Sequence, residues 1–462
     1  MKTSSCSRRQ FLQHASGLTF SAAAFPTLIS ASALGRGEAV APSNRIVVGC
    51  IGTGPQGRND MGGFLYQKDA QVVAVCDVKT DQLEIARQAV NRRYQNQDCA
   101  TYGDFLEVVS RDDIDAFLIA TPDHWHVLVA LAAVRAGKDV YLEKPMGLSL
   151  EEDWALREAV HEHKRVFQFG TQQRSSHLFR LACELVRNGC IGTLKHINVW
   201  APGSAPGGPT DIVPVPSNLN YDMWLGPAPF KPYMEDLATD VSDKKTWWFI
   251  STYALGFVAG WGIHPLDIAA WGADLFTGPI SLEGRGSFRA YGACDTATVW
   301  DINMRFHSGV TMKFVGVPNG SNRGLATCDT WPQEKEWRER YRRITSHGTA
   351  FEGTDGWVHV DRDGINLQPQ DLIDQDEKAF KVKLIRSGNH VRNFLDSVKS
   401  RVETICPIDE AVRSDTLCHI SESAMRLDRR VVWDPKRERY VDDEGANLRL
   451  RARKMRAPWH LV

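Results

Sequence analysis

The stretch Ile46-Val47-Val48-Gly49-Cys50-Ile51-Gly52-Thr53-Gly54-Pro55-Gln56-Gly57 is an apolar run that ends in glycines spaced G-x-G-x-x-G. A continuous apolar run of this kind suits a strand covered on both faces, and Pro55 suits the first turn of a following helix. Asp77 closes the next apolar run, Gln71 to Asp77, 20 residues after Gly57. The glycine pattern alone is weak. Strand before it, helix after it and an acid at that distance together mark a dinucleotide-binding βαβ unit. In such a unit Gly52 makes the tight turn, Gly54 lets the backbone approach the pyrophosphate, and Gly57 lets helix and strand pack closely. Thr53, Pro55 and Gln56 complete a turn that presents the helix N-terminus to the phosphates. Asp77 is expected to accept hydrogen bonds from the adenosine ribose and to repel a 2′-phosphate. NAD is therefore expected, and Lys79 is the feature that keeps NADP possible.

Outward from this unit the chain alternates. Apolar runs at Ala116 to Ala120, Val140 to Leu142 and Val166 to Phe169 are interleaved with helical segments at Asp81 to Arg93, Phe105 to Ser110 and His126 to Ala136. Ser149-Leu150-Glu151-Glu152 is a capping box that opens a further helix toward His163. The alternation predicts an α/β fold, with a parallel Rossmann sheet over residues 45–170. After Gly170 the rhythm changes. A helix is expected from Arg174 to Asn188, a strand near His196 to Trp200, and a Gly-, Pro- and Ser-rich loop from Ala201 to Pro216. Strands follow at Val310 to Val317 and at Trp357 to Asp361, the latter turning at Asp363-Gly364. Residues 171–385 thus read as an α+β domain. Val391, Phe394, Leu395 and Val398 have helical spacing, and so, more loosely, do Ala411, Leu417, Ile420 and Ala424. Residues 386–462 read as helices and a tail, Arg456-Ala457-Pro458-Trp459, that pack back on the body.

The 462 residues carry a formal charge of −1, which offers no footprint for nucleic acid or an anionic membrane. Residues 1–33 contain no acid and place Arg8-Arg9 before an Ala-rich run that ends in Ala31-Ser32-Ala33. This resembles a twin-arginine signal with a small-residue cleavage site. Its removal leaves a charge of −4 and nine of the ten cysteines. The apolar stretch is short and broken by Pro26, so no membrane anchor is expected after processing. The expected partner during export is the twin-arginine translocase, and the expected location is the periplasm or beyond. That route carries folded proteins, so a cofactor can be loaded before the membrane is crossed. The cysteines show no zinc spacing and several lie inside apolar runs, as buried free thiols do.

Two further stretches sit just past strand ends, where open α/β sheets bind ligands. Thr121-Pro122-Asp123-His124-Trp125-His126 follows Ala120 and is placed to touch nicotinamide, although His126 also reads as a helix-start residue. Glu143-Lys144-Pro145 follows Leu142. A lysine there can polarise a carbonyl or lower the pKa of a hydroxyl.

Together with Trp261-Gly262-Ile263-His264-Pro265-Leu266-Asp267, these motifs resemble the family of glucose–fructose oxidoreductase, inositol dehydrogenase and MocA-type proteins, over nearly the whole mature chain. The resemblance implies a second domain with an open, mostly antiparallel sheet, and homo-oligomers formed through that sheet. It also implies that Lys144 and His264 flank the carbon that exchanges hydride, with His264 as acid/base and Lys144 bonded to the reacting oxygen. Asp267 is expected to bind a sugar hydroxyl or, alternatively, to pair with a structural arginine. One departure stands out. The inositol dehydrogenase pattern has an aspartate four residues before the histidine, and here that position is Gly260. Six of the 14 tryptophans fall between Trp200 and Trp271. Trp261 is the best candidate to stack on a sugar ring, with core packing as the alternative. Gln172, Gln173 and Arg174 follow a strand end and are placed to reach the cleft.

The expected function is an exported oxidoreductase that acts on a carbohydrate or polyol at a secondary carbinol, with tightly bound NAD and no metal. The rival readings are an NAD-dependent glycoside hydrolase that works by transient oxidation and elimination, and a non-catalytic dinucleotide-binding protein.

Overall fold

The apolar run opens the sheet it was expected to open. In the computed structural model, β1 (Ile46–Ile51) pairs in parallel with β2 (Ala70–Cys76) on one side and β4 (Ala116–Ile119) on the other. With β3 (Ala100–Tyr102), β5 (Asp139–Leu142) and β6 (Phe167–Phe169) it forms a six-stranded parallel sheet in the order β3-β2-β1-β4-β5-β6. The structure describes residues 40–41, 44–239, 247–288, 291–317 and 332–461. The expected export signal, residues 1–33, lies outside the described residues.

Helices α1 (Pro55–Leu65), α2 (Thr80–Tyr94), α3 (Phe105–Val109), α4 (Asp123–Arg135) and α5 (Leu150–His163) connect these strands. Strand order reverses between β1 and β4, which opens the crevice where such sheets bind ligands. α4 starts three residues before the expected His126, so Asp123, His124 and His126 lie on its first turn and not in a loop. Eleven of its 13 residues are buried, so its outline was hidden by apolar character on every side. At α5, Ser149 accepts from Glu152 N (3.3 Å), while the Glu152 carboxylate accepts from Leu148 N (2.6 Å), one residue earlier than in the reciprocal box.

After β6 comes a single turn at Gln172–Ser175, and then α6 (His177–Arg187) begins three residues later than expected. The second sheet has nine strands. β7 (Leu194–Pro202) and β10 (Thr311–Val317) run parallel at its centre, and every other pairing is antiparallel. One wing holds β11 (Gly348–Gly353), β12 (Trp357–Asp361) and β13 (Gly364–Gln368). The other holds β9 (Val299–Arg305), β8 (Ile280–Ser287), β14 (Val431–Asp434) and β15 (Arg439–Tyr440). α7 (Ile263–Gly272) and α9 (Ile408–Leu427) pack against this sheet and against each other.

The C-terminal part of the chain returns to the parallel sheet. On α8 (His390–Ser400), Phe394 meets Phe64 and Tyr141 edge-on at 6.1 and 5.9 Å. Arg392 pairs with Asp69 at 2.6 Å and Arg401 with Asp139 at 2.5 Å. The edge of β6 is covered too, because Phe169 N donates to Cys406 O (3.1 Å) and Thr404 Oγ1 to Phe167 O (2.7 Å). Trp459 in the tail lies 4.7 Å from Trp125. Eight cysteines are described, all free and seven of them buried. Among the described residues no helix is long and apolar enough to cross a membrane.

Candidate active site

The turn after β1 has no room for side chains. Gly52 sits at φ +82°, and a Cβ there would come within 2.4 Å of Ala120 O. A Cβ on Gly57 would lie 2.0 Å from Gly52 O. Gly54 caps α1 without a side chain, and the first turn carries no acid, so no side chain covers the N–H groups of the helix end. This bare cradle fits a dinucleotide pyrophosphate on geometric grounds. Thr53 has a different place from the one expected: it is buried and does not line the cleft. Its N and Oγ1 donate to Asp77 Oδ2 at 2.7 and 3.1 Å, and Lys79 N donates to Oδ1 at 2.9 Å. Thr53 thus fixes the Asp77 carboxylate at the end of β2, where it lines the cleft.

The turn opens onto a cleft of about 360 Å³ lined by Gly52, Gly54, Pro55, Gln56, Gly57 and Asp77, then by Thr121, Pro122, Asp123 and His126, then by Glu143 and Lys144. Trp224, Trp247, Trp248 and Trp261 form an aromatic wall. His126 ties two of these loops together: Nδ1 lies 2.5 Å from Pro145 O and Nε2 2.8 Å from Thr121 O. Burial pushes its imidazole down to about 4, so near neutral pH it carries no charge and its single N–H donates to one of these two carbonyls. Burial also pushes the Asp123 carboxyl well above its ordinary range, against the opposing pull of Lys144. His124 was expected at the cofactor, and it does not line the cleft. It packs beside Trp224 and Tyr253, with Nε2 2.9 Å from Trp224 O, because helical geometry turns it away from the face that carries Asp123 and His126.

Lys144 reaches across to the second half of the chain, and its Nζ donates to Gly260 O at 3.3 Å. The position where the family pattern has an aspartate therefore still bonds to the cleft lysine, through its backbone carbonyl. Beneath Lys144 lie two carboxyl groups, Glu143 and Asp60. Burial raises both, and each also feels the other. Gln56 Nε2 donates to Asp60 (3.0 Å) and Gln172 Nε2 to Glu143 (2.5 Å). Gln172 thus reaches the edge of the site as expected.

His264 is 4% exposed and does not itself line the cleft: it lies behind Trp261, their ring centroids 5.7 Å apart. Its Nδ1 is sealed and has no hydrogen-bond partner among the described residues. Burial holds its pKa well below the ordinary histidine value, and Lys144, Arg362, His347 and His390 push it the same way. Among the described residues no carboxylate bonds to His264 in place of the missing aspartate. Asp267 and Arg174 need correcting as substrate ligands. Arg174 Nε and Nη2 grip Asp267 at 2.7 to 3.0 Å, and Ser414 Oγ adds a bond of 2.6 Å. Both are at most 1% exposed, so the alternative of a structural arginine partner holds. An acid held by three such donors and wholly buried is closed to a sugar.

Asp60, Arg362 and His347 were not singled out from sequence. The i, i+4 spacing of Gln56 and Asp60 was visible, but nothing local pointed to Glu143 as a partner. Arg362 and His347 come from the distant β11–β13 wing.

The family model described as "Oxidoreductase family, NAD-binding Rossmann fold" matches residues 46–171. The one described as "Oxidoreductase family, C-terminal alpha/beta domain" matches residues 207–324 and 372–461. A glycosyl hydrolase family 109 protein of Shewanella sp. (strain W3-18-1) is 27% identical over 161 residues, 34% of this chain and 35% of that protein. Another, from Saccharopolyspora erythraea, is 34% identical over 132 residues, 28% of this chain and 29% of its own. The matched segment thus spans about a third of the length of these curated relatives. Among solved structures, the WlbA dehydrogenase from Bordetella pertussis in complex with NADH and UDP-GlcNAcA aligns with a TM-score of 0.59 at 15% identity, covering 84% of this chain and 98% of that one. The scyllo-inositol dehydrogenase from Lactobacillus casei with bound NAD(H) and scyllo-inositol aligns at 0.56 and 17% identity, covering 85% and 99%. These structures share the fold. With its NAD-binding Rossmann sheet, its nine-stranded partner and both family models matched in order, the chain belongs to the Gfo/Idh/MocA oxidoreductase family.

Proposed function

We propose that this protein is an exported oxidoreductase that oxidises a secondary carbinol of a sugar or polyol and keeps its NAD tightly bound. The observation that carries the reading is Lys144, at the mouth of the parallel sheet, bonded to Gly260 O on the stretch that leads to a neutral His264. The glycine turn, Asp77 and the β4 and β5 loops would hold NAD, which when bound supplies the acceptor for the hydride of the carbinol carbon. Lys144 donates a hydrogen bond to the carbinol oxygen and stabilises the negative charge that grows there. His264, uncharged at neutral pH, takes the hydroxyl proton on Nε2. The aromatic wall excludes water and offers apolar faces to the sugar ring. The paired arginines of residues 1–33 support export, and export supports a retained cofactor, since soluble NAD is scarce outside the cytoplasm. Homo-oligomers through the large sheet are part of the same reading.

The test is to purify the mature protein without added cofactor, denature it and assay the released dinucleotide by mass spectrometry. A sugar panel is then screened with no cofactor added. Near-stoichiometric NAD(H) and its reduction by a sugar are expected. Absence of the dinucleotide would remove the retained-cofactor reading and leave a dehydrogenase that exchanges it.

A second reading has specific support. Gly260 in place of the aspartate and the similarity to glycosyl hydrolase family 109 proteins fit redox-assisted glycoside cleavage. Aryl glycosides hydrolysed by the NAD-loaded protein, and not after the dinucleotide is stripped, would favour it. A non-catalytic protein would bind NAD and turn over neither class.

A further inference from the structure

Arg362 sits at the two-residue turn between β12 and β13, where Asp361 pairs with Gly364. Its guanidinium carbon lies 4.7 Å from the centre of the Trp261 ring. Trp261 lines the cleft and in turn touches His264 and, at 5.1 Å, His347. Arg362 has no hydrogen bond or ion pair among the described residues. Its neighbour Asp361 is fully engaged: Oδ1 accepts from Arg343 Nη2 (2.8 Å), Asp363 N (2.9 Å) and Gly364 N (3.1 Å), and Oδ2 accepts from Thr345 Oγ1 (3.1 Å). The turn is therefore pinned by Asp361, and the arginine, itself exposed and outside the cleft lining, is held over an indole that lines the cleft, with its N–H groups unclaimed among the described residues. Such a pose keeps a guanidinium ready for a planar or tetrahedral anion.

The charge around the site points the same way. Of the groups that act on His264, Lys144 and Arg362 are cations, while burial pushes His347 and His390 down to about 4 and leaves them uncharged near neutral pH. His347 is buried with both ring nitrogens unpartnered, so it offers no counter-charge. The carboxyl that Arg362 feels is Glu143, under Lys144 and already bonded to Gln172. A neutral sugar would leave the Arg362 guanidinium without a partner.

We infer that Arg362, held over Trp261, binds an anionic group on the substrate, which makes the substrate an acidic sugar bearing a carboxylate or a phosphate ester. The inference rests on the sugar oxidoreductase reading and narrows it. Arg362 is a specificity residue in it, set apart from the proton chemistry of Lys144 and His264.

The experiment titrates the mature NAD-loaded protein with matched ligands: glucose, glucuronate and glucose 6-phosphate, then galactose and galacturonate. Binding is followed by calorimetry and turnover by reduction of the bound cofactor. One acidic form is expected to bind roughly tenfold or more tighter than its neutral parent, with the advantage shrinking as salt rises. Whether the carboxylate or the phosphate arm shows it identifies the anion. In Arg362→Met that ratio should fall to about one, and in Arg362→Lys part of it should survive, since the charge stays and the planar fork is lost. NAD content in both variants checks the fold, and if the Met variant fails that check the Lys variant decides. Equal affinity for acidic and neutral sugars, or an unchanged ratio in Arg362→Met, overturns the inference and leaves the sugar reading standing. If no sugar of either kind binds or reduces the cofactor, the sugar reading falls and the inference falls with it.

Discussion

At the residue scale the decisive feature is a histidine without its carboxylate. Burial and the nearby Lys144 and Arg362 keep His264 neutral at pH 7. A general base must be deprotonated, so kcat/KM for oxidation should stay level down to about pH 6.5 and fall only below it. A pH profile that already falls between pH 8 and 7 would remove His264 as the base. Gly260 allows the reciprocal test. A Cβ there meets only Phe257 Cδ1, at 3.5 Å, so Gly260→Asp should fold. A carboxylate next to His264 favours the imidazolium, which raises its pKa and should move the acid limb to higher pH. Lys144→Met should lower kcat by about 10²- to 10⁴-fold, the scale of a lost proton-transfer or oxyanion partner, with NAD still retained. The glycine turn and Lys144 were legible because their chemistry needs those residue types at those spacings. Asp267 misled because a pattern cannot show which way a side chain points. Its place on α7 turns it toward Arg174 and away from the cleft.

At the element scale the Lys144 loop is held from below. Asp415 on α9 accepts from Met146 N at 3.1 Å, and His419 one turn on lies 3.5 Å from both Asp415 and Asp153 of α5. Burial opposes a charge on His419, yet the two carboxylates outweigh it and raise its pKa to about 10. A folded-state value above the unfolded one means that the imidazolium contributes its full stability below about pH 6.5 and loses it as pH rises through about 10. His419→Ala leaves two buried carboxylates without a cation. It should cost about 3 to 5 kcal/mol in urea unfolding at pH 7 and should flatten the alkaline fall in stability seen in the wild type. Nothing in the local sequence pairs α5 with α9, since the contact depends on how the helices cross. The Rossmann strands were legible as long apolar runs. β3, with three residues, was too short to show a pattern, and α4 was too apolar all round to show its first turn.

At the scale of the whole molecule, the parallel sheet does not end where its sequence pattern ends. Residues 45–170 read as a self-contained unit, yet the β6 edge is hydrogen-bonded to residues 404–406, and Phe64 and Tyr141 finish their packing on Phe394. Trp125, beside the cleft, is closed by Trp459 from the tail. These partners come from several hundred residues downstream, so no local periodicity announces them, although the helical spacing of Val391, Phe394 and Leu395 did show that an apolar face needed a partner. A sheet edge left without that cover exposes unpaired backbone and apolar surface together. The expected consequence is cooperativity. Calorimetry of the full chain stripped of dinucleotide should show one unfolding transition across residues 46–461. NAD at 100 times its Kd should stabilise that single transition by about 2.7 kcal/mol. A fragment of residues 44–171 should aggregate or fail to bind NAD despite carrying every glycine of the turn. Two transitions, of which only the lower or only the upper moves with NAD, would show that the C-terminal clasp contributes little and that the Rossmann sheet stands alone.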